Sequence, residues 1–402
     1  MRRKQCMIGL LMAVLIPSST LTAQNSKQWS LDDCLHHAMT NNISLKKRAI
    51  AWMSASEDVK QAKAALFPSL SASMSHSVGY RPWVNSGVST AANGTVATSV
   101  NKSYYNGSYG LNASWVLWNG KQNVNIVKLN KLMEQQAELD SAVAANSIKE
   151  QITQLYMQIL YLDEAVAVTK QSLKTSELNE QRGKEMMEVG KLSKADLAQL
   201  SAQTATDRYH VVEAESNLAN TKLQLKQLLE ITGEESFDVA IPATDDGEVM
   251  QAIPTLQTTY QEALLHRPEM ELQRVAISEN ELNISIAKAG LLPTLTLNGG
   301  ASTSTSSMND KTWGRQMKNN FDVMGGLSLS VPLFDQRKTK TAVRKAKLQK
   351  MDSELSLLEE QETLYSTIEG LWLDATTNQQ KYLHPYRGVG HVAPLPLPSC
   401  QS

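Results

Sequence analysis

The chain alternates between two hydrophobic rhythms. From Ser69 to Tyr80 every odd position through Ser77 is serine, while Leu70, Ala72, Met74 and Val78 fill most of the even ones. A period of two gives a pleated strand one polar and one apolar face. Residues 105–117 continue the pattern, with Tyr105, Tyr109, Leu111, Ala113, Trp115 and Leu117 on one side. Later, Leu295 and Leu297 alternate with Thr294, Thr296 and Asn298. A fourth run sets Phe321, Val323, Leu327, Leu329, Val331 and Leu333 against Asp322, Ser328 and Ser330. Between the strand pairs the rhythm changes. Lys121 to Glu188 contains no proline and only Gly183, and Ile148, Ile152, Leu155, Ile159, Leu162 and Val166 step by four and three, which is a helical seam. A helix of that length reaches on the order of 100 Å. Gly190 suits a left-handed helix end, and Ser193 with Asp196 three residues on is an N-cap signature. A return helix is expected from Lys194 to about Ile231, so Lys121–Ile231 reads as an antiparallel hairpin with its tip at Gly190–Ser193.

The order of signals is given twice. Ala65-Leu66-Phe67-Pro68-Ser69-Leu70 returns as Gly290-Leu291-Leu292-Pro293-Thr294-Leu295, 225 positions later. At the same offset Ala38 falls on Ala263, Leu45 on Met270, Ala62 on Ala287 and Lys63 on Lys288. Ser114–Asn119 resembles Ser330–Asp335 at an offset of 216, so the second copy has a loop nine residues shorter between the landmarks. Each copy opens with a helix, expected in the first from Leu31 to about Leu66 and stopped by Pro68. Two long divergent copies imply an internally pseudo-symmetric chain rather than a solenoid, which needs three or more short repeats.

The ends read differently. Arg2, Arg3 and Lys4 precede the apolar run Met7–Ile16, Pro17 breaks it, and small residues lead to Ala23. This is the pattern of a secretory signal peptide over residues 1–23, too short to span as a helix, with no longer apolar run after it. Its loss removes three positive charges and no acid, taking the formal net charge from −1 to −4. That balance gives no basic field and argues against nucleic acid as a partner. Aromatic content is 5%, thin for a compact enzyme core. Outside the leader and the last residues, Cys34 is the one cysteine, best read as a small buried hydrophobe, so no disulfide framework is possible. No catalytic constellation, cofactor loop or metal set stands out. His36 and His37 are adjacent and point about 100° apart on a helix, which makes them poor joint ligands.

The four alternating runs have two readings, half-buried soluble hairpins or the wall of a membrane β-barrel. Adequate length in all four, the leader, and Tyr80, Trp83, Tyr104, Tyr105, Trp118 and Trp313 near the ends as an interfacial girdle favour the wall. Four strands cannot close a barrel, so that reading forces oligomerisation.

Helix, strand, strand, very long helix, tip turn and return helix, given twice after a leader, resembles the TolC family of outer-membrane efflux and secretion channels. The resemblance rests on Ala65–Leu70 with its copy, on Leu117-Trp118-Asn119-Gly120 and Leu333-Phe334-Asp335, and on Val189–Leu197, in that order over roughly residues 29–382. It implies a mainly α fold with a four-stranded β contribution. It further implies a homotrimer pooling three times four strands in one outer-membrane barrel, embedded in outer-membrane lipid. The long helices would form a periplasmic tunnel reaching towards a periplasmic adaptor (membrane fusion) protein and an inner-membrane pump. The function implied is a passive conduit in an efflux pump or type I secretion system, neither an enzyme nor a cofactor binder. Gly190, Leu192 and Ser193 match the family's tip turn, and Asp196 stands where a constricting tip aspartate would, although it reads equally well as a helix-start charge. A periplasmic adaptor and a fibrous coiled-coil surface protein are the alternatives. Adaptors carry a single hairpin, and a fibrous protein has no use for the strand pairs.

The expected organisation is a leader at 1–23, a first repeat at 24–253, an incomplete second repeat at 254–382 and an unrelated tail at 383–402. Tyr382 corresponds to about Val166, so the remainder of the second hairpin, some 65 residues in the first copy, has no counterpart. Pro394, Pro396 and Pro398 cannot continue a helix. A truncated or frame-shifted reading is therefore expected there.

Overall fold

A computed structural model describes residues 28–83, 87–91, 94–98, 102–233, 237–242 and 251–388. The expected leader and most of the expected tail lie outside them. The elements in order are β1 (Gln28–Trp29), α1 (Leu31–Asn41), α2 (Ile43–Ala64), β2 (Ser69–Tyr80), β3 (Gly87–Ala91), β4 (Gly94–Thr98) and β5 (Ser103–Trp118). Then follow α3 (Gln122–Glu188), α4 (Lys194–Leu228), β6 (Asp238–Val239), α5 (Leu256–His266) and α6 (Pro268–Ala289). The last are β7 (Thr294–Ser306), α7 (Trp313–Asn319), β8 (Asp322–Ser330) and α8 (Lys338–Gly388).

Several expectations need correction. The first helix does not run unbroken from Leu31 to Leu66. It is interrupted at Asn42, whose buried side chain accepts hydrogen bonds from the Ser44 and Leu45 amides at 2.9 and 3.3 Å and starts α2 anew. Its counterpart breaks at Arg267, where Pro268 takes the first helical position, the place proline is tolerated. The fourth strand ends at Ser330 rather than at Leu333, because Pro332 offers no ladder donor. The final helix continues to Gly388, past the expected change at Tyr382. The β3–β4 hairpin, the parallel β1–β6 pair and α7 are additional elements.

Element bounds recur at the two offsets seen in sequence. Adding 225 carries both ends of α1 onto α5, both ends of α2 onto α6, and the start of β2 onto the start of β7. Adding 216 carries the start of α3 onto the start of α8.

The chain divides into two compact units that cut across these repeats. One comprises residues 1–40 and 150–243, the other 41–149 and 244–402. In the first, Cys34, Ala38, Ile152, Tyr156, Ile159, Leu225, Leu229 and Val239 are buried. Each large aliphatic among them contributes roughly 1.5–3 kcal/mol. The Tyr156 hydroxyl donates to the Ala240 carbonyl at 2.5 Å, and burial lifts its phenol above the ordinary range. In the second unit, Met270, Leu364 and Ile368 form a core with Leu256, Tyr260, Ala263 and Leu264 packed against it. Here Trp372, which is Tyr156 plus 216, donates through Nε1 to the Pro254 carbonyl at 3.0 Å. The two equivalent aromatics each tie a long helix to an extended segment.

Candidate channel wall and tunnel tip

The four long strands form one antiparallel sheet in the order β2-β5-β7-β8. Its register keeps the two sequence faces apart across every strand. Ala72, Leu111, Ala301 and Val323 form one cross-strand row, and the row beside it is Ser71, Asn112, Gly300 and Met324. Because side chains alternate along each strand, Leu70, Met74, Val78, Leu111, Trp115, Leu297, Val323, Leu327 and Leu329 share one face. Ser69, Ser71, Ser73, Ser75, Ser77, Asn112, Ser114, Asn298, Ser302 and Ser328 share the other. A bulge between Val116 and Trp118 sets Trp118 opposite Leu295 and keeps the faces in phase to the strand end. On the polar face the Ser114 hydroxyl donates to Asn298 Oδ1 at 2.9 Å. Asp322 is the one formally charged side chain in the four strands.

The apolar face is bare within one chain. Leu70, Met74 and Val78 are 76%, 71% and 80% exposed, and Val323, Leu327 and Leu329 about as much. Such a patch marks a surface made for lipid or for protein, not for water. Both outer strands, β2 and β8, also leave a row of backbone donors and acceptors open.

All four strand-to-helix connections lie at one end of the sheet, where α2, α3, α6 and α8 join it. The turns are built alike in both copies. Gly120 and Lys121 are left-handed, with φ of 66° and 65°, and so are Gln336 and Arg337 at 52° and 67°, exactly 216 positions on. Asn119 Oδ1 accepts from the Asn123 amide at 3.3 Å, and Asp335 Oδ2 accepts from the Thr339 amide at 2.7 Å. Hydrogen bonds from Thr339 hold the Asp335 carboxyl below its usual range. Among the described residues no helix is long and apolar enough to cross a membrane.

At the opposite, loop end, α7 lies on the apolar-face side of β7. Gln316 is buried there. Its Oε1 accepts from the Ser306 amide at 2.7 Å, and its Nε2 donates to the carbonyls of Ser306, Asn309 and Lys311 at 3.0, 3.1 and 2.7 Å. Sequence reasoning missed this anchor, since a lone glutamine carries no pattern. Beside it the Tyr105 hydroxyl is hydrogen-bonded to His76 Nδ1 and the rings stack with centroids 5.4 Å apart.

The six expected girdle aromatics are not equivalent. Tyr80, Tyr105 and Trp313 stand at the loop end, with Trp313 Nε1 donating to the Tyr109 hydroxyl at 3.3 Å. Trp83 follows β2 and is almost fully exposed. Trp118 stands at the helix end. Tyr104 lies on the polar face, opposite in direction to Tyr105, with the Arg81 guanidinium 4.6 Å over its ring.

The tip turn belongs to the other unit. Gly190, at φ 73°, closes α3 in a Schellman arrangement: its amide donates to the Met187 carbonyl at 3.0 Å, and the Lys191 amide donates to Met186 at 2.8 Å. Ser193 caps α4, its Oγ accepting from the Asp196 amide at 3.1 Å and donating to Asp196 Oδ2 at 2.7 Å. Asp196 is therefore engaged in the helix start and exposed to solvent. Gly183 lets the helices close on each other, since a Cβ there would lie 2.6 Å from Leu200 Cδ1 and 3.4 Å from Leu192 Cδ2. Further along, polar pairs brace the hairpin. Glu180 accepts from Ser201 at 3.0 Å and from Lys184 at 2.7 Å, Arg208 donates to Glu177 at 3.1 Å, and Lys170 meets Glu215 at 2.7 Å. The Lys184 bond, helped by Ser201 and Thr204, holds the Glu180 carboxyl below its usual range. No cluster of His, Cys, Asp and Glu fit for a metal occurs among the described residues.

The family described as Outer membrane efflux protein matches residues 34–230 and 259–382, most of the chain. The chain belongs to the outer membrane efflux protein family. Membership places it in the outer membrane with a periplasmic extension, as a channel component of efflux and secretion machinery, and this is not a family of enzymes. It is 22% identical over 369 residues to the outer membrane efflux protein BepC of Brucella suis, covering 92% of this chain and 75% of that protein. It is 24% identical over 240 residues to the outer membrane protein TolC of Vibrio cholerae, covering 60% of this chain but only about half, 53%, of that protein. Among solved structures, the CmeC outer membrane channel of Campylobacter jejuni matches with a TM-score of 0.69 at 19% identity, over 88% of this chain and 71% of that one. That likeness shows the fold: mostly helical, with the strands in addition.

Proposed function

We propose that three copies of this outer membrane efflux protein pool their four-stranded sheets into one closed barrel, through which a passive conduit crosses the outer membrane. The observation that carries this reading is the apolar face that runs across all four strands, polar towards the loop end at His76, Thr303 and Thr305, and flanked by two open edges. Lipid gives an open edge nothing to bond to, so β2 of one copy joins β8 of the next until no edge remains. The apolar face then meets hydrocarbon. The serine, threonine and asparagine face lines a water-filled lumen, polar and weakly selective, so that cargo choice falls to the pump. Tyr80, Tyr105, Trp118 and Trp313 serve as interfacial aromatics at the two rims.

In this reading the long helices form the periplasmic tunnel. The turn at Gly190, Leu192, Ser193 and Asp196 is its tip, meeting a periplasmic adaptor and, through it, an inner-membrane pump that supplies the energy. Planar-bilayer recording of the purified protein tests the proposal. Discrete conductance steps support a pore, and a protein that binds bilayers without conducting overturns it. Asp196→Ala tests the tip: altered gating or adaptor binding is expected, and unchanged behaviour in both reduces Asp196 to its capping role.

A further inference from the structure

We propose that α7 and the loop before it form a binding site for the phosphate groups of outer-leaflet lipid, on the outside of the barrel wall. The inference rests on reading the sheet as that wall. Its first support is the face on which α7 sits. Thr303 Oγ1 donates to the Met317 carbonyl at 2.8 Å, and Trp313 bonds to Tyr109. Thr303 and Tyr109 are register partners, two residues on from the Leu111–Ala301 pair and so on the same face. The helix therefore lies over the lipid side of the sheet and not over the lumen. Its second support is the end at which it sits. The helices that join the sheet, α2, α3, α6 and α8, do so at the opposite end, and among the described residues no helix is long and apolar enough to cross a membrane, so α7 stands at the outer rim.

The segment is held rigidly and displays cations. Gln316 fixes it from beneath with four bonds, and Asn320 Nδ2 donates to the Ser304 carbonyl at 2.7 Å. With Gln316 turned inward, Arg315 and Lys318 fall about 60° apart on the outer side of the helix. Both are exposed, as is Lys311 in the preceding loop. Among the described residues none of the three forms an ion pair. Asp310 is the one acid between Ser307 and Phe321, and Asp322 points to the other face.

Exposed Trp313, Phe321 and Met308 accompany these charges. A ligand matched to this surface carries fixed negative charge immediately beside acyl chains. A phosphorylated lipid has that combination, whereas a soluble anion lacks the apolar half. The arginine fork suits phosphate oxygens in pairs, and the lysines add point charge.

The test uses the full chain in phosphatidylcholine nanodiscs, with diphosphorylated lipid A as the probe and binding read by native mass spectrometry. Each basic side chain near such a surface contributes about fivefold, so K311Q/R315Q/K318Q is expected to bind on the order of a hundredfold more weakly. Wild-type binding should fall steeply towards 1 M salt, and K311R/K318R should bind like wild type. Equal binding by the triple variant overturns the proposal. So does equal binding of dephosphorylated lipid A to the wild-type protein, a comparison that needs no variant to fold. Displacement by millimolar inorganic phosphate would also overturn it, by showing a free-anion site. Bilayer conductance separates the two levels: no pore in the wild type sinks the channel reading and this inference together, whereas normal conductance with phosphate-independent lipid binding sinks the inference alone.

Discussion

Lysine substitutions at two neighbouring positions of β7 measure which face of the sheet meets hydrocarbon. Leu297 stands between Trp115 and Leu327 on the apolar face of this inner strand, and Thr296, between Val116 and Ser328, stands on the other. A lysine ammonium on the lipid face costs about 2–4 kcal/mol at the bilayer midplane and about 0–1 near the interfaces, so at Leu297, two residues inside the Trp118 rim, it costs about 1–2 kcal/mol, whereas one facing a water-filled lumen costs close to nothing. Differences in strand propensity span only about 1 kcal/mol, and the matched pair shares most of them. Leu297→Lys should therefore lower the folded-to-unfolded ratio by about five- to thirtyfold relative to Thr296→Lys. Guanidinium titration of the protein refolded into lipid vesicles, followed by tryptophan fluorescence, reads this as a lower midpoint for Leu297→Lys alone. Equal midpoints, or a larger loss for Thr296→Lys, would refute the assignment of faces.

Three further outcomes are expected from the helices. Gly190→Ala places a side chain at φ 73° with open space around it, so the cost is backbone strain of about 1–2 kcal/mol, visible as a lower melting temperature with unchanged helix content. Asn42→Ala removes the buried cap of α2 and should cost about 1 kcal/mol by denaturant titration, while Asn42→Asp should retain most of it. Glu180 has a depressed carboxyl pKa, so the stability it adds is present above the ordinary carboxylate value and is lost as pH falls through the depressed one. Wild type should thus melt above Glu180→Gln at neutral pH, with the gap narrowing as pH falls below about 4.5; a gap that does not narrow with acidification would show that Lys184 and Ser201 are not its source.

Much of this was legible because each signal had a local cause. Serine at every second place from Ser69 fixed which side of β2 is polar, and the registers later carried that side unbroken to Ser328. Gly190 and Ser193 announced the tip through chemistry confined to one turn. The failures came where one side chain's choice of partner decides. The break at Asn42 looks like any helical asparagine until its side chain turns to cap, and α7 depends on Gln316 reaching carbonyls five to ten residues away. Tyr104 and Tyr105 are adjacent and so point to opposite faces, but grouping both as girdle aromatics overlooked that Tyr104 shares the phase of the β2 serines.

The most direct measurement is the mass of the detergent-purified particle, taken by light scattering with the detergent subtracted. The proposed barrel of three pooled sheets predicts three chains, each of 44.3 kDa less the leader, in a single species at every concentration that keeps the protein folded. A folded, monodisperse particle of one chain would leave β2 and β8 open in lipid and contradict the account.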